Sequence, residues 1–293
     1  MKRVESGRIM VELVPPSRRS SLESQKRFVE RIVHVLQGLP WVDLVNVPEI
    51  ISENHAGSPF YEKLDASVFA LRLKSSLNFP VAVNRVTVYQ PAGAFEAWLD
   101  ESKNAAKIDR FIFVGGNCSS NHYPGISVLK ANQLAQKRGC VFGNIAIPGR
   151  AGELSRLMDK TRTGASFFTT QILFESGPVK QLLLAYQEAC QNEGFEPAAF
   201  YLCFAPVTEA LDLEYLAWLG ARIPESVDAR LRQHDAAAAS VLLAQQLYAD
   251  VLTFARDEKL RVPLNINVEP VSTHNLEWIE PMVRSLNGVR HKF

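Results

Sequence analysis

Phe111-Ile112-Phe113-Val114-Gly115-Gly116-Asn117 runs four apolar residues in succession and then breaks at a glycine pair. A strand with one wet face alternates apolar and polar residues, whereas one that is apolar throughout has both faces covered, as in a parallel sheet wrapped by helices. Working outward from 110–115, further strand-like segments lie at 8–14, 42–47, 80–89, 140–147, 166–174, 198–205 and 264–268. Helical patterns fill the intervals. Residues 21–37 place Leu22, Phe28, Val29, Ile32, Val33 and Leu36 on one face and stop at Gly38 and Pro40. Residues 234–258 repeat the pattern through Val241, Leu242, Tyr248, Val251, Leu252 and Ala255. Eight strands alternating with helices predict the α/β fold class and, within it, a (β/α)8 TIM barrel. No linker, repeat or low-complexity tract divides the chain, so residues 1–293 read as a single domain.

The hydrophobic fraction of 47% and charged fraction of 22% supply an ordinary large core. With 32 basic and 31 acidic residues the net charge is +1, which gives no electrostatic reason to expect nucleic acid or an anionic membrane as partner. The opening Met1-Lys2-Arg3-Val4-Glu5-Ser6 leads into strand, not into an apolar leader, and no apolar run approaches the ~20 residues that span a bilayer. A soluble, cytoplasmic protein is expected. Four cysteines without CxxC spacing argue against structural zinc and a disulfide framework. Cys140, Cys190 and Cys203 read as small buried side chains, and Cys118, in the glycine-rich loop, either faces a ligand or does the same. No GxGxxG follows the first strand, which excludes a Rossmann fingerprint. None of the six histidines sits beside a Ser or Cys in a nucleophile elbow, and His122 reads as a loop residue, at a ligand or on the surface.

In a barrel the site lies where the strands end. Arg8-Ile9-Met10-Val11-Glu12-Leu13-Val14-Pro15-Pro16 puts one carboxylate in an apolar strand that the proline pair terminates. Desolvation there raises the pKa of Glu12, as an acid or base working near neutrality requires. The other reading is a structural glutamate salt-bridged to a neighbouring strand. Asn46, Gly115-Gly116-Asn117, Gln171 and Glu269 fall at the same rim, and their convergence favours a site over isolated structural hydrogen bonds.

Two stretches resemble the methylenetetrahydrofolate reductases. Val11-Glu12-Leu13-Val14-Pro15-Pro16 is similar to that family's opening strand. The segment from Lys160 to Glu175, with Gly164-Ala165 and Thr170-Gln171-Ile172-Leu173-Phe174, is similar to its Lys-x-x-x-Gly-Ala…Thr-Gln-x-x-Phe segment, with a weaker echo in Ala221-Arg222-Ile223-Pro224. The resemblance implies a barrel that reduces 5,10-methylenetetrahydrofolate to 5-methyltetrahydrofolate with NAD(P)H, usually through FAD, in the one-carbon supply of methionine biosynthesis. It implies Glu12 as the general acid that opens the imidazolidine ring, Gln171 as a folate contact, and Lys160 at a flavin phosphate or ribityl chain. A solvated helix-end lysine is the alternative for Lys160. A chain of this length is expected to lack control by S-adenosylmethionine.

The departures cluster on the flavin wall. Where the family has Arg-Gly-Asp after strand four, this chain has Gly115-Gly116-Asn117, and neutral Asn117 cannot stabilise a cationic iminium as a carboxylate does. Ile145-Ala146-Ile147-Pro148-Gly149-Arg150-Ala151 replaces Ala-Ala-Tyr-Pro-Glu-x-His, so Ile147 stands for a tyrosine. Glu153 stands for a ribityl-contacting aspartate, and Gly116 and Tyr123 are placed at the flavin by the resemblance. Two modes stay open: a flavin-dependent reductase, and one in which NAD(P)H reduces the folate directly, with Arg150 replacing lost contacts to a nicotinamide phosphate or the folate glutamate tail. A catalytically silent folate- or nucleotide-binding barrel, serving as a regulatory or scaffold subunit, is the alternative from another class. NADH versus NADPH preference, partner subunits and oligomeric state, a homo-oligomer included, are left open.

Overall fold

The structure, a computed structural model, describes residues 5–53, 59–77, 79–116, 122–233, 235–272 and 275–292. Eight parallel strands close into a barrel: β1 (Ile9–Glu12), β2 (Leu44–Val47), β3 (Val81–Val86), β4 (Arg110–Val114), β5 (Val141–Ala146), β6 (Phe167–Thr170), β7 (Ala199–Phe204) and β8 (Leu264–Val268). Each strand pairs with its neighbours in sequence, and β8 pairs with β1 to complete the ring. The helices between them are α1 (Leu22–Gln37), α2 (Ala66–Ser76), α3 (Ala92–Asn104), α4 (Val128–Lys137), α5 (Glu153–Arg162), α6 (Gly177–Glu193), α7 (Ala210–Trp218), α8 (Glu225–Leu231), α9 (Ala236–Asp257) and α10 (Ile279–Arg290). A short antiparallel pair, Ser52–Glu53 with Pro59–Phe60, lies outside the barrel.

All eight expected strands form, most of them shorter than the apolar runs suggested. Strand six was expected over 166–174 but ends at Thr170, although beyond it Gln171 N–H still donates to Ala146 O of β5 and Leu173 N–H to Cys203 O of β7. In strand three the run from 80 to 89 ends in a 3-10 turn over Thr87–Tyr89. Helix α1 begins where Ser21 caps the Ser24 N–H, and it buries Val29, Ile32 and Leu36. Leu22, at its first turn, is exposed, contrary to the expected face. In α9 the buried stripe is Ala237, Ser240, Ala244, Tyr248 and Val251, and Leu242 points away from it because two positions along a helix is over half a turn. By length and composition alone α9 is the one described helix apolar enough to cross a membrane, yet Ala244, Tyr248 and Val251 join the core around the barrel.

Strand side chains alternate between two cores. Outward-facing Val11, Val45, Val83, Phe111, Phe113, Phe168 and Phe200 pack under the helices. Inward-facing Met10, Leu44, Ala82, Ile112, Phe167, Ala199 and Tyr201 plug the barrel itself. Phe167 fills the centre, and a Cβ on Gly143 would stand 2.4 Å from its ring, so only glycine fits there. This apolar plug is the floor on which the site rests.

Candidate functional site

Two residues further along five of the strands, the same inward face becomes polar. Met10 is followed by Glu12, Leu44 by Asn46, Ala82 by Asn84, Phe167 by Thr169, and Tyr201 by Cys203. On β8, Asn267 and then Glu269 face inward. Glu12, Asn84, Thr169, Gln171 and Glu269 border a cleft of about 1020 Å³ at the carboxyl end of the barrel. Its far wall carries Gly116, Ile147 and Lys160, and Tyr215 and Trp218 of α7 close one side. Expected Glu12, Gln171, Lys160, Gly116 and Ile147 therefore meet in one place. Asn117 and Cys118 lie outside the described residues.

Among the described residues Glu12 has no cation beside it, so no salt bridge to a neighbouring strand is found. Asn46 Nδ2 donates to its Oε2 at 2.7 Å. Burial pushes the carboxyl well above its ordinary range, Glu269 pushes it further, and the Asn46 bond only partly opposes them. Glu269 is also buried, and desolvation raises it to about 7 against donors from Cys203 and Asn267. Asn267 Nδ2 reaches Glu269 Oε1 at 2.6 Å. Because Val11 pairs with Val268, the two glutamates are the next rung of the β1–β8 ladder. Neighbouring strands place them side by side, so ionising one raises the cost of ionising the other.

Two other groups feel this pair. The Cys203 thiol is driven well up by burial and then by Glu269, so it is a neutral donor rather than a thiolate. It is the small, fully buried side chain that the sequence suggested, packed in an apolar cluster. Tyr215 is raised to about 12 by burial and by Glu12, which keeps its phenol protonated against the cleft. Tyr215 stacks on Trp218 with centroids 5.6 Å apart, an aromatic side wall beside the acids.

The remaining expected residues divide. The Gln171 amide donates to Leu219 O at 2.8 Å and accepts from Ile172 N–H at 3.0 Å, leaving one N–H and one lone pair for a ligand. Lys160 is mostly buried, not a solvated helix-end lysine. Its Nζ donates to Ile145 O at 2.7 Å, and burial lowers it to about 8. Glu153 is 2% exposed and does not border the cleft: Ile147 N–H takes Oε1 at 2.9 Å, and Arg150 Nε takes Oε2 at 2.6 Å. Tyr123 is likewise absent from the lining. Its ring packs edge-on against Tyr89, and a Cβ on Gly116 would stand 2.4 Å from it. His122 is exposed. Sequence reasoning passed over Asn84 and Thr169. Asn84 Oδ1 and Thr169 Oγ1 are buried at the cleft edge and have no hydrogen-bond partner among the described residues.

Among the described residues, this wall gives a flavin few polar partners. The acid expected at its ribityl chain is sealed against Arg150, Tyr123 covers Gly116 from behind the lining, and Ile147 offers no polar side-chain atom. Among the described residues no three His, Cys, Asp or Glu side chains converge to hold a metal ion.

No family model matches the chain, and no curated protein matches it in sequence. Solved structures do match: one, from Clostridium thermocellum, is described as an uncharacterized protein that binds two copies of 5-methyl-5,6,7,8-tetrahydrofolic acid. It aligns at a TM-score of 0.81 over 99% of this chain and 96% of that one, with 20% sequence identity. Likeness at that identity shows the shared barrel architecture, and the chemistry has to be argued from the site.

Proposed function

We propose that the cleft binds a reduced folate and that the protein reduces 5,10-methylenetetrahydrofolate to 5-methyltetrahydrofolate, NAD(P)H giving hydride directly. The observation that carries this reading is Glu12: a part-buried carboxyl at the mouth of the barrel, with no cation beside it among the described residues, whose pKa burial pushes well above the ordinary carboxylate range. Ring opening needs such an acid. The proton passes to N10, the bond between N10 and the methylene carbon breaks with its electron pair going to N10, and the carbon is left as an N5 iminium. That carbon is electrophilic enough to accept hydride, which completes the methyl group. The ligand bound by the Clostridium protein is the product of this reaction.

The chain's other groups suit the same task. Gln171, Thr169 and Asn84 offer amide and hydroxyl atoms to a pterin edge. Tyr215 and Trp218 give a flat apolar wall for an aromatic ring. Lys160 and Arg156, both at the cleft, supply positive charge for the dinucleotide's phosphates. Direct transfer is supported by the few polar partners that the described residues of the Gly116–Ile147 wall give a flavin, and positioning two substrates face to face provides much of the rate.

The test uses the purified protein with no flavin added. Loss of dihydronicotinamide absorbance that depends on methylenetetrahydrofolate, in a preparation without flavin bands, supports the proposal. Bands that bleach with NADH move the assignment to a flavin-mediated reductase. Tight binding of 5-methyltetrahydrofolate with no turnover makes the protein a folate-binding barrel instead.

A further inference from the structure

The iminium formed in the reaction proposed above is a full positive charge created inside a desolvated cleft, and something must stand against it. Four carboxyl side chains border the cleft among the described residues: Glu12, Glu49, Asp159 and Glu269. Glu12 is the proton donor. Glu49 is held by Arg85 Nη1 at 2.8 Å and Val86 N–H at 2.7 Å. Asp159 is paired with Arg162 at 2.6 Å. Glu269 alone of the four is both free of a cation and available as an anion.

Its setting fixes which member of the pair is charged. Glu269 receives the Asn267 amide and faces the Cys203 thiol, whereas Glu12 receives the Asn46 amide only. Each carboxyl takes one amide donor, and burial together with its neighbour displaces Glu12 upward, so the negative charge falls on Glu269 and the proton on Glu12. The ionisable groups that face the pair are Cys203 from β7 and Tyr215 from α7, both neutral, with Lys160 of α5 on the opposite wall.

We infer that Glu269 is a second catalytic group, the carboxylate that stabilises the N5 iminium while the neighbouring Glu12 delivers the proton that forms it. The inference rests on the reductase reading. The charge balance is complete: one proton moves from Glu12 to N10, the broken bond's electrons stay on N10, and hydride from the dihydronicotinamide supplies the two electrons that reduce the methylene carbon. Oxidised nicotinamide leaves, and solvent returns a proton to Glu12. Fixed charge placed where charge develops is the most effective form of such help.

Glu269→Gln in the full-length protein tests this, assayed with methylenetetrahydrofolate and NADH or NADPH across pH. The expected result is a kcat lower on the order of 10²-fold with the folate KM little changed. The alkaline limb of the profile, where Glu12 loses its proton, should also move down by about one pH unit, because a neighbouring negative charge has gone. Glu269→Asp keeps the charge but withdraws it, so it should lose part of kcat with that limb unmoved; it serves if the glutamine variant fails to fold. Wild-type kcat and an unmoved limb in Glu269→Gln, or full activity in Glu269→Asp should that variant be needed, overturn the inference while leaving the reductase reading intact. Wild-type protein that never oxidises NAD(P)H with methylenetetrahydrofolate overturns the reading and this inference with it.

Discussion

Asn46 and Glu12 are rungs of the same ladder, Cα partners across β1 and β2, joined by a 2.7 Å bond from amide Nδ2 to carboxyl Oε2. The amide's own oxygen is buried with no partner, so Asn46 gives its hydrogen bond to the acid and receives none that the protein supplies. This donor is what keeps Glu12 from holding its proton too tightly. Asn46→Leu should raise Glu12 further, weaken it as an acid, and lower kcat at neutral pH about tenfold. Its alkaline limb should move to higher pH, opposite to Glu269→Gln. A limb that moves the same way in both variants would mean that the two residues do not act on one titrating group.

Glu12→Gln removes the proton and keeps the shape. Turnover should fall by roughly 10²–10⁴-fold, the usual contribution of a general acid, while 5-methyltetrahydrofolate binds with nearly unchanged affinity. Calorimetric titration beside steady-state kinetics separates the two. Loss of binding in parallel with turnover would make Glu12 a ligand contact rather than an acid.

The acid pair carries a cost in stability whose sign can be read from the direction of its titration. A carboxyl that ionises near 4.5 when unfolded but near 7 when folded favours the folded state only while protonated. Stability is therefore fully present below about pH 4.5 and is lost as pH rises through about 7. Denaturant unfolding of Glu269→Gln should show a flatter pH dependence, exceeding wild type by roughly 2–3 kcal/mol at about pH 8 and by nothing near pH 4. Parallel curves for the two proteins would show that the carboxyls are not buried as described.

Much of this was visible in the residues. Phe111–Val114 announced a strand covered on both faces, and Glu12 stood out because nothing else in its strand is polar. Glu269 reads from the sequence as one of the rim residues, but its partnership with Glu12 does not, since the two lie near opposite ends of the chain and meet only because the barrel closes β8 onto β1. Asn84 and Thr169 were missed for a different reason. A polar residue in a strand marks a site only if it faces inward, and that parity is unknowable until the register is fixed. Cys203 is the small buried side chain that its residue type suggests, and the sequence does not show Asn267 and Glu269 beside it. Glu153 misled because position in a motif says nothing about which way a carboxylate turns.

Thr169 supplies the cleanest test of ligand recognition. Its hydroxyl is buried and without a hydrogen-bond partner among the described residues, so replacing it with the isosteric valine removes no hydrogen bond found there. Thr169→Val should unfold within about 1 kcal/mol of wild type, or slightly later, because an unsatisfied polar group has been relieved. Folate KM should rise severalfold at unchanged kcat if the hydroxyl meets the substrate. A large stability loss with an unaltered KM would instead make Thr169 part of the scaffold.

Arg150 and Glu153 predict the opposite pattern. Arg150 Nε and Nη2 both reach Glu153 Oε2, at 2.6 and 2.5 Å, and that carboxylate is almost wholly buried at the start of α5. The same carboxylate holds Ile147 N–H, so the pair clamps the loop after β5 onto the helix that follows. Arg150 also borders the cleft and is 38% exposed, but its Nε and Nη2 are committed to Glu153. Arg150→Ala should strand a buried charge and cost roughly 1–3 kcal/mol, the lower end reflecting the partial exposure of the guanidinium. Adding Glu153→Gln should recover part of that loss by removing the stranded charge while keeping an acceptor for Ile147 N–H. Michaelis constants for folate and nicotinamide should stay near wild type in both variants. A selective rise in either constant, with stability intact, would return Arg150 to the binding site.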